Sequence, residues 1–397
     1  MATSERTNGA SGSYVATYHD TADRRLTRAN IVLRRRMENG VGLWEAEFAG
    51  HVVSARGGPA GLPDDIASAL VAPLRGAGVV EIARLRTDDH VTLLEGAHVL
   101  RSYADERAAL RDTLGRSRRA KKRDPALAHV RAYLVAQLAE IERTDPVVRI
   151  DPDIEALHDL RVALRRTRAV LRAARKLFDG EWVIRLRDEL KWLGGELGPA
   201  RDLDVLIQQL RSEREEVGSE ATPVIRRLER ERKGARRRAV AALRSDRYLA
   251  LLDELRIAVD HPPVRKPDAR LARVASREYK KLRREVAALG PQPTDDALHR
   301  VRIRGKRARY AAELAEPVVG KPAARFVRAA KQFQDVIGEH QDAIVAEERI
   351  QAFAASADAA FGAGRLVERQ RARRARARAA VPAAWKRLER RGRRAWS

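Results

Sequence analysis

The hydrophobic pattern changes period part-way along the chain. From Tyr14 to about Tyr103 the apolar positions come in short alternating runs punctuated by Gly and Pro. Residues 31–37 (IVLRRRM) place Val32, Arg34 and Arg36 on one face and Ile31, Leu33 and Arg35 on the other. In 43–48 (LWEAEF), Trp44, Ala46 and Phe48 alternate with Glu45 and Glu47. The dipeptide Asn39-Gly40 between these runs predicts a hairpin turn. Residues 63–76 read as helix, and Val79–Ile82 and Val91–Leu94 as short strands.

Beyond this point the strand signal ends. Residues 105–123 form a basic, mostly helical connector running into RSRRAKKRD, and from Asp124 onward long Ala/Leu/Arg/Glu segments predict helices. Short breaks fall near 144–153, 179–181, 218–223, 261–268, 290–296 and 317–322, which predicts antiparallel neighbours in helical bundles. Residues 1–13 are small and polar and read as a disordered N-terminus without the apolar core of a signal peptide. No stretch approaches 18 apolar residues, so no membrane span is expected and a cytoplasmic location is the default.

Charge divides the chain at the same place. Its 397 residues carry a net charge of +25. Residues 1–110 hold 13 Arg, no Lys and 14 Asp+Glu, a balance of −1, so residues 111–397 carry +26. A polyanion is the natural partner: nucleic acid, an acidic membrane surface or polyphosphate. The absence of Cys excludes disulfides, thiolate metal sites and Cys nucleophiles.

The helical part repeats itself. ALHDLRVALRRTRAV from Ala156 and ALHRVRIRGKRARYA from Ala297 share A-L-H-x2-R-x3-(R/K)-x2-R. His158 aligns with His299, Arg161 with Arg302, Arg165 with Lys306 and Arg168 with Arg309, at an offset of 141. A second block at offset 140 aligns 190–206 with 330–346, Lys191 with Lys331 and Asp202 with Asp342.

Positions 0, 3, 7 and 10 share one helix face. His158, Arg161, Arg165 and Arg168 therefore form a line, extended by Arg172, about 21 Å long at the helical rise. Leu160, Leu164, Leu171 and Phe178 lie on another face and can serve as core. Basic runs are ordinarily solvated faces whose charges alternate with Glu. Here residues 161–176 hold seven Arg or Lys and no acid, and 300–309 hold six and no acid. Such repulsion is tolerated when a polyanion neutralises it.

With these blocks and the L-G-x2-R-D-x-D-V segment from Leu197 to Val205, the region 124–397 resembles the CHAD domain, the conserved histidine α-helical domain. The resemblance implies a mainly α fold. It consists of two pseudo-symmetric four-helix bundles, repeat one at about 124–262 and repeat two at about 268–397, around a basic channel that binds inorganic polyphosphate. The implied ligand residues are His158, Arg161, Arg165, Arg168 and Lys191 in one repeat. In the other they are His299, Arg302, Lys306, Arg309 and Lys331. Gln341 stands where the first repeat has Arg201.

Residues 18–36 (YHDTADRRLTRANIVLRRR) resemble part of the CYTH domain, the triphosphate tunnel metalloenzymes. That implies a small, partial α+β domain over 14–104. The acidic metal-binding strand of that family has no counterpart before Tyr14, and Glu45 and Glu47 can pair with Arg34 and Arg36 across the hairpin. Too few strands remain to close an eight-stranded tunnel. A truncated remnant without hydrolase activity is the expectation.

Other candidates are weaker. Asp202, Asp204 and Asp342 read as partners for arginines rather than metal ligands, and the adjacent Glu339 and His340 point to different helix faces. No Walker A, G-x-G-x-x-G or H-E-x-x-H string occurs. Residues 365–394 hold 13 basic residues and two acids and read as a last helix in which Trp385 packs, as does Trp396 beyond it. The expectation is a non-enzymatic polyphosphate-binding protein without cofactor or metal, acting in the cytoplasm or at polyphosphate granules. A nucleic-acid-binding helical protein is the first alternative and a triphosphate phosphohydrolase the second.

Overall fold

The computed structural model describes residues 14–87, 90–95, 98–113, 125–150, 154–218, 221–265, 270–352 and 357–396. The expected disordered segment 1–13 and the RSRRAKKRD end of the connector lie outside the described residues. By internal packing the chain divides into two compact units. The first comprises 1–119, 135–164 and 240–261, and the second 120–134, 165–239 and 262–397.

In the first unit the alternating segment builds seven strands: β1 (Tyr14–Thr21), β2 (Val32–Glu38), β3 (Val41–Phe48), β4 (His51–Arg56), β5 (Val79–Thr87), β6 (Val91–Glu95) and β7 (His98–Tyr103). They form one antiparallel sheet in the order β4-β3-β2-β1-β5-β6-β7. The β2–β3 hairpin turns at Asn39 and Gly40, both left-handed with φ of 52° and 78°, the conformation that an Asn-Gly pair adopts readily. Its register sets Arg34 opposite Glu45. Strands β1, β4 and β7 were not foreseen. In β1 the inward residues Ala16 and Tyr18 and the neighbouring Asp20 and Thr21 are all buried, so polarity does not alternate with burial.

Helices cover both faces of this sheet. Segment 63–76 resolves into α2 (Asp64–Ala69) and α3 (Val71–Leu74), and α2 packs against β3 and β4. On the other face, Ala109 and Leu110 of α4 (Glu106–Thr113) join Ala16, Tyr18, Val32 and Leu85 in a core. The short α1 (Arg25–Arg28) is held by Asp20, which accepts bonds from the Leu26 and Thr27 amides at 2.8 and 2.9 Å and the Thr27 hydroxyl at 2.6 Å. The Asp of the Y-x-D-T segment is thus a buried structural cap.

The helical part comprises α5 (Ala126–Ile150), α6 (Ile154–Ala173), α7 (Gly180–Val217), α8 (Thr222–Leu243) and α9 (Asp246–Asp260). It continues with α10 (Leu271–Ala287), α11 (Asp295–Val319), α12 (Lys321–Gln351) and α13 (Ala357–Trp396). α5 runs through Pro146, and α11 through Pro317 to Gly320, whose φ of 80° ends it. A further break at Arg244 and Ser245 gives the first repeat a fifth helix. There the Ser245 hydroxyl accepts from the Tyr248 amide and caps α9. In the second unit α10 to α13 close a four-helix bundle: α11 packs on α10, α12 on α11, and α13 on both α12 and α10. The close approach of α13 to α10 needs Gly392, where a Cβ would collide with the Tyr279 ring. Among the described residues no helix is long and apolar enough to cross a membrane.

Candidate functional site

The two cationic lines lie where their spacing puts them, on α6 and α11. α6 buries Leu157, Leu160, Leu164 and Leu171, which leaves Arg161, Arg165, Arg168 and Arg172 half-buried on the opposite side. α11 is started by Thr294, whose hydroxyl accepts from the Ala297 amide, with Asp295 and Asp296 in the first turn. It buries Leu298, Val301, Gly305 and Ala308. The small residues Gly305 and Ala308 bring it against α12, where Phe333 lies 3.7 Å from the position of a Gly305 Cβ.

Within the second unit these helices wall a cavity of about 520 Å³. Arg165, Arg168 and Arg172 come from α6, Arg187 and Lys191 from α7, Arg277 and Lys281 from α10, and Lys306 and Arg307 from α11. Arg175 and Lys176 of the α6–α7 turn complete the cationic lining, against only Asp188 and Glu278 as acids. That turn is clipped to the segment before α10 by the Asp179 amide on the Pro263 carbonyl at 2.9 Å and the Arg265 amide on the Leu177 carbonyl at 2.7 Å. Glu278 is already bonded to Lys281 at 2.7 Å. Ala169, Ala173, Leu271, Val274 and Ile303 supply apolar wall between the charges.

The cations in this wall repel one another. Burial, and then the Arg302 and Arg165 guanidiniums, pull the Lys306 amine down to about 8 against the opposing pull of Asp342. Burial and Arg307 pull Arg172 down to about 10, with Arg187 and Arg304 adding to the effect and Glu278 opposing it. Arg168 is lowered by burial, Arg187 and Arg165, and Arg307 by burial and Arg304. Among the described residues Arg168, Arg172, Lys306 and Arg307 make no ion pair, and the buried Arg187 Nε has no hydrogen-bond partner. The wall presents clustered positive charge that its two carboxylates, Asp188 and Glu278, leave in excess.

The structure gathers five of the sequence-derived candidates here: Arg165, Arg168, Arg172, Lys191 and Lys306. His158 and Arg161 belong to the half of α6 in the first unit and do not line the cavity. His299 Nδ1 lies 2.9 Å from Gln341 Oε1, so the position that departs from the first repeat is the one that meets the histidine. Arg302 lies 3.8 Å from Asp342. Arg309 lies 3.3 Å from Glu313, with its guanidinium 4.7 Å from the Tyr310 ring centre. Lys331 is exposed on α12. Arg187, Arg277, Lys281 and Arg307 were not foreseen. The i, i+4 spacings of Arg187 with Lys191 and of Arg277 with Lys281 are the signals in the sequence that could have marked two of these faces.

The remaining candidates act structurally. Asp204 is buried beside Arg236 at 3.0 Å and Arg232 at 3.6 Å. Glu339 pairs with Arg373 at 2.6 Å, and His340 is buried 3.1 Å from Asp295. On α13, Arg371 binds Glu347 at 2.8 Å, and Arg374 and Arg378 meet Asp295. Trp385 packs on Phe333 and Trp396 on Phe326, each with ring centres 5.7 Å apart. In the first unit Arg34 binds Glu45 at 2.8 Å and Glu106 at 2.7 Å, and Arg36 binds Glu45 at 3.2 Å. The hairpin cations are therefore paired within the protein. Among the described residues no group of three His, Asp or Glu side chains is arranged to hold a metal ion.

Comparison with known proteins places this geometry. The family model described as CHAD domain matches residues 132–351, more than half of the chain. Two curated proteins of Mycobacterium tuberculosis, "Uncharacterized protein MT2285" from strain CDC 1551 / Oshkosh and "Uncharacterized protein Rv2226" from strain H37Rv, are 33% identical over 242 residues. The match covers 55% of this chain and 45% of each relative, so it spans less than half of the relatives' length. The crystal structure of the CHAD domain from the plant Ricinus communis superposes with a TM-score of 0.60 at 25% identity, over 69% of this chain and 95% of that one. PptA from Streptomyces chartreusis superposes with a TM-score of 0.57 at 25% identity, over 66% of this chain and 100% of that one.

Proposed function

The chain belongs to the CHAD domain family, and from that premise we propose that it binds inorganic polyphosphate, without cleaving it, in the cationic cavity of the second unit. The observation that carries this reading is the set Arg168, Arg172, Lys306 and Arg307: half-buried, each pulled down by burial and by neighbouring cations, and without ion pairs among the described residues. A linear polymer with about one negative charge per internal phosphate neutralises such a set, and Arg forks suit its oxygens. The cavity of about 520 Å³ has the volume of an ordinary small-ligand pocket and so suits a run of phosphates rather than a duplex.

Binding without hydrolysis rests on the first unit. Arg34 and Arg36, the cations that a phosphate-binding tunnel would use, are taken by Glu45 and Glu106. The sheet ends in β4 and β7, which do not pair with each other among the described residues. The reading places the protein in the cytoplasm, at polyphosphate granules.

The test is a titration of long-chain polyphosphate into the full chain and into an Arg168→Gln/Arg172→Gln variant. The expected result is a loss of affinity of at least about tenfold, since each charge-assisted pair contributes roughly 1.5–3 kcal/mol. Equal affinity overturns the site. A competition arm decides against nucleic acid: polyphosphate should displace bound duplex DNA at matched phosphate concentration, and failure to do so favours the nucleic-acid reading. Divalent-metal-dependent release of phosphate from triphosphate, lost in Arg34→Ala, would overturn the non-enzymatic reading.

A further inference from the structure

Lys306 differs from the other lysines of the cavity. Lys281 is held by Glu278 at 2.7 Å, and Lys191 and Lys176 are exposed. Lys306 is half-buried in the wall, one turn from Arg302 and from Arg309 along α11. Arg165 faces it from α6, fixed there by its own bond from Nε to the Tyr310 hydroxyl at 2.9 Å. Of these three arginines Arg165 shares the cavity wall with the amine, together with Arg168, Arg172 and Arg307, guanidiniums suited to a phosphate group, and the apolar side chain of Ile303.

We propose that Lys306 is an acylation site: an acyl phosphate enters the cavity with its phosphate on the surrounding arginines, and the Lys306 amine takes its acyl group. The amine lone pair attacks the acyl carbonyl carbon, a C–N bond forms, and the C–O bond to phosphate breaks. Orthophosphate leaves with the bonding pair, stabilised by the arginines that bound it, and the ammonium proton passes to solvent. No oxidant or metal is needed.

Two physical features favour this lysine. Burial, and then the cations that repel its proton, hold its pKa near 8, so far more of the amine is neutral at neutral pH than in an exposed lysine. The same cations also raise the local concentration of the anionic donor. Acylation removes one positive charge from the wall and places an uncharged amide beside Arg165. It therefore acts as an off switch for anion binding. The inference rests on the cavity being a phosphate site, though not on the ligand being a polymer.

The experiment incubates the full chain with acetyl phosphate at pH 7.5 and quantifies acetylation of each lysine by peptide mass spectrometry. Lys306 should be modified on the order of tenfold faster than Lys191 and Lys331, and excess orthophosphate should remove that advantage. Modification of Lys306 at the rate of the exposed lysines overturns the proposal. So does a preference for Lys306 that orthophosphate leaves intact, because the donor would then not be guided by its phosphate. An Arg168→Gln variant, which keeps Lys306 and its helix, should lose most of the advantage; an undiminished rate counts against phosphate guidance. Polyphosphate titration of the same preparations separates the two readings. Selective, orthophosphate-sensitive acetylation without polymer binding leaves this site standing and removes the polymer. Polymer binding without selective acetylation does the reverse.

Discussion

Arg165 on α6 donates from Nε to the Tyr310 hydroxyl on α11 across 2.9 Å, joining the cationic helix of one repeat to that of the other. Tyr310 is buried, so its hydroxyl sits in a fixed place and sets the direction of the guanidinium. Tyr310→Phe keeps the ring and removes the acceptor. Polyphosphate affinity should fall about three- to tenfold, the worth of roughly 1 kcal/mol of orientation. Isothermal titration of the two proteins checks this.

Arg172 and its neighbours hold positive charge against one another. Arg172→Gln should therefore raise the melting temperature of the unliganded protein while weakening polyphosphate binding. A surface arginine without such neighbours would leave both nearly unchanged. Thermal unfolding with and without polymer reads both effects. The salt dependence of binding should also flatten in the variant, since one fewer counter-ion is displaced.

The pH dependence follows from Lys306, whose folded-state pKa is pulled from 10.5 down to about 8. A base with a lowered folded pKa costs stability below that value, because the folded state must carry a charge it disfavours. The cost fades as pH rises from about 8 toward 10.5, where the unfolded chain binds the extra proton. Bound polyanion removes the cost by favouring the ammonium. Affinity should then be level below pH 8 and fall above it, with proton uptake on binding near pH 8.5. Calorimetry in buffers of different ionisation enthalpy measures that uptake, and Lys306→Met should abolish it.

The sheet has its own electrostatic dependence. Burial raises the Glu45 carboxyl, but the bonds from Arg34 and then Arg36 outweigh it and hold its pKa below the usual range. An acid with a lowered folded pKa stabilises above its unfolded value, and that contribution is lost as pH falls through the folded value. Glu45→Ala leaves Arg34 with Glu106 but without its partner across the hairpin. It should lower stability by about 2–4 kcal/mol, measured by urea unfolding at pH 7. The loss should shrink in acid.

Much of this protein is determined by its sequence alone. The change of hydrophobic period separates the sheet from the helices, Asn39-Gly40 places the hairpin turn, and the 141-residue offset relates α6 to α11. The helical spacing also puts Arg165, Arg168 and Arg172 on one face, because the rise and turn of a helix are local properties. What that face meets is not local. Tertiary packing alone divides the line, leaving His158 and Arg161 in the first unit and the three arginines in the second. It turns Arg309 to Glu313 and Tyr310, exposes Lys331, and brings in Arg187, Arg277, Lys281 and Arg307 from positions that no repeat marks. A charge becomes a binding group only when its surroundings withhold a counter-charge, and here those surroundings come from α7 next along the chain and from α10 and α11, about a hundred residues further on.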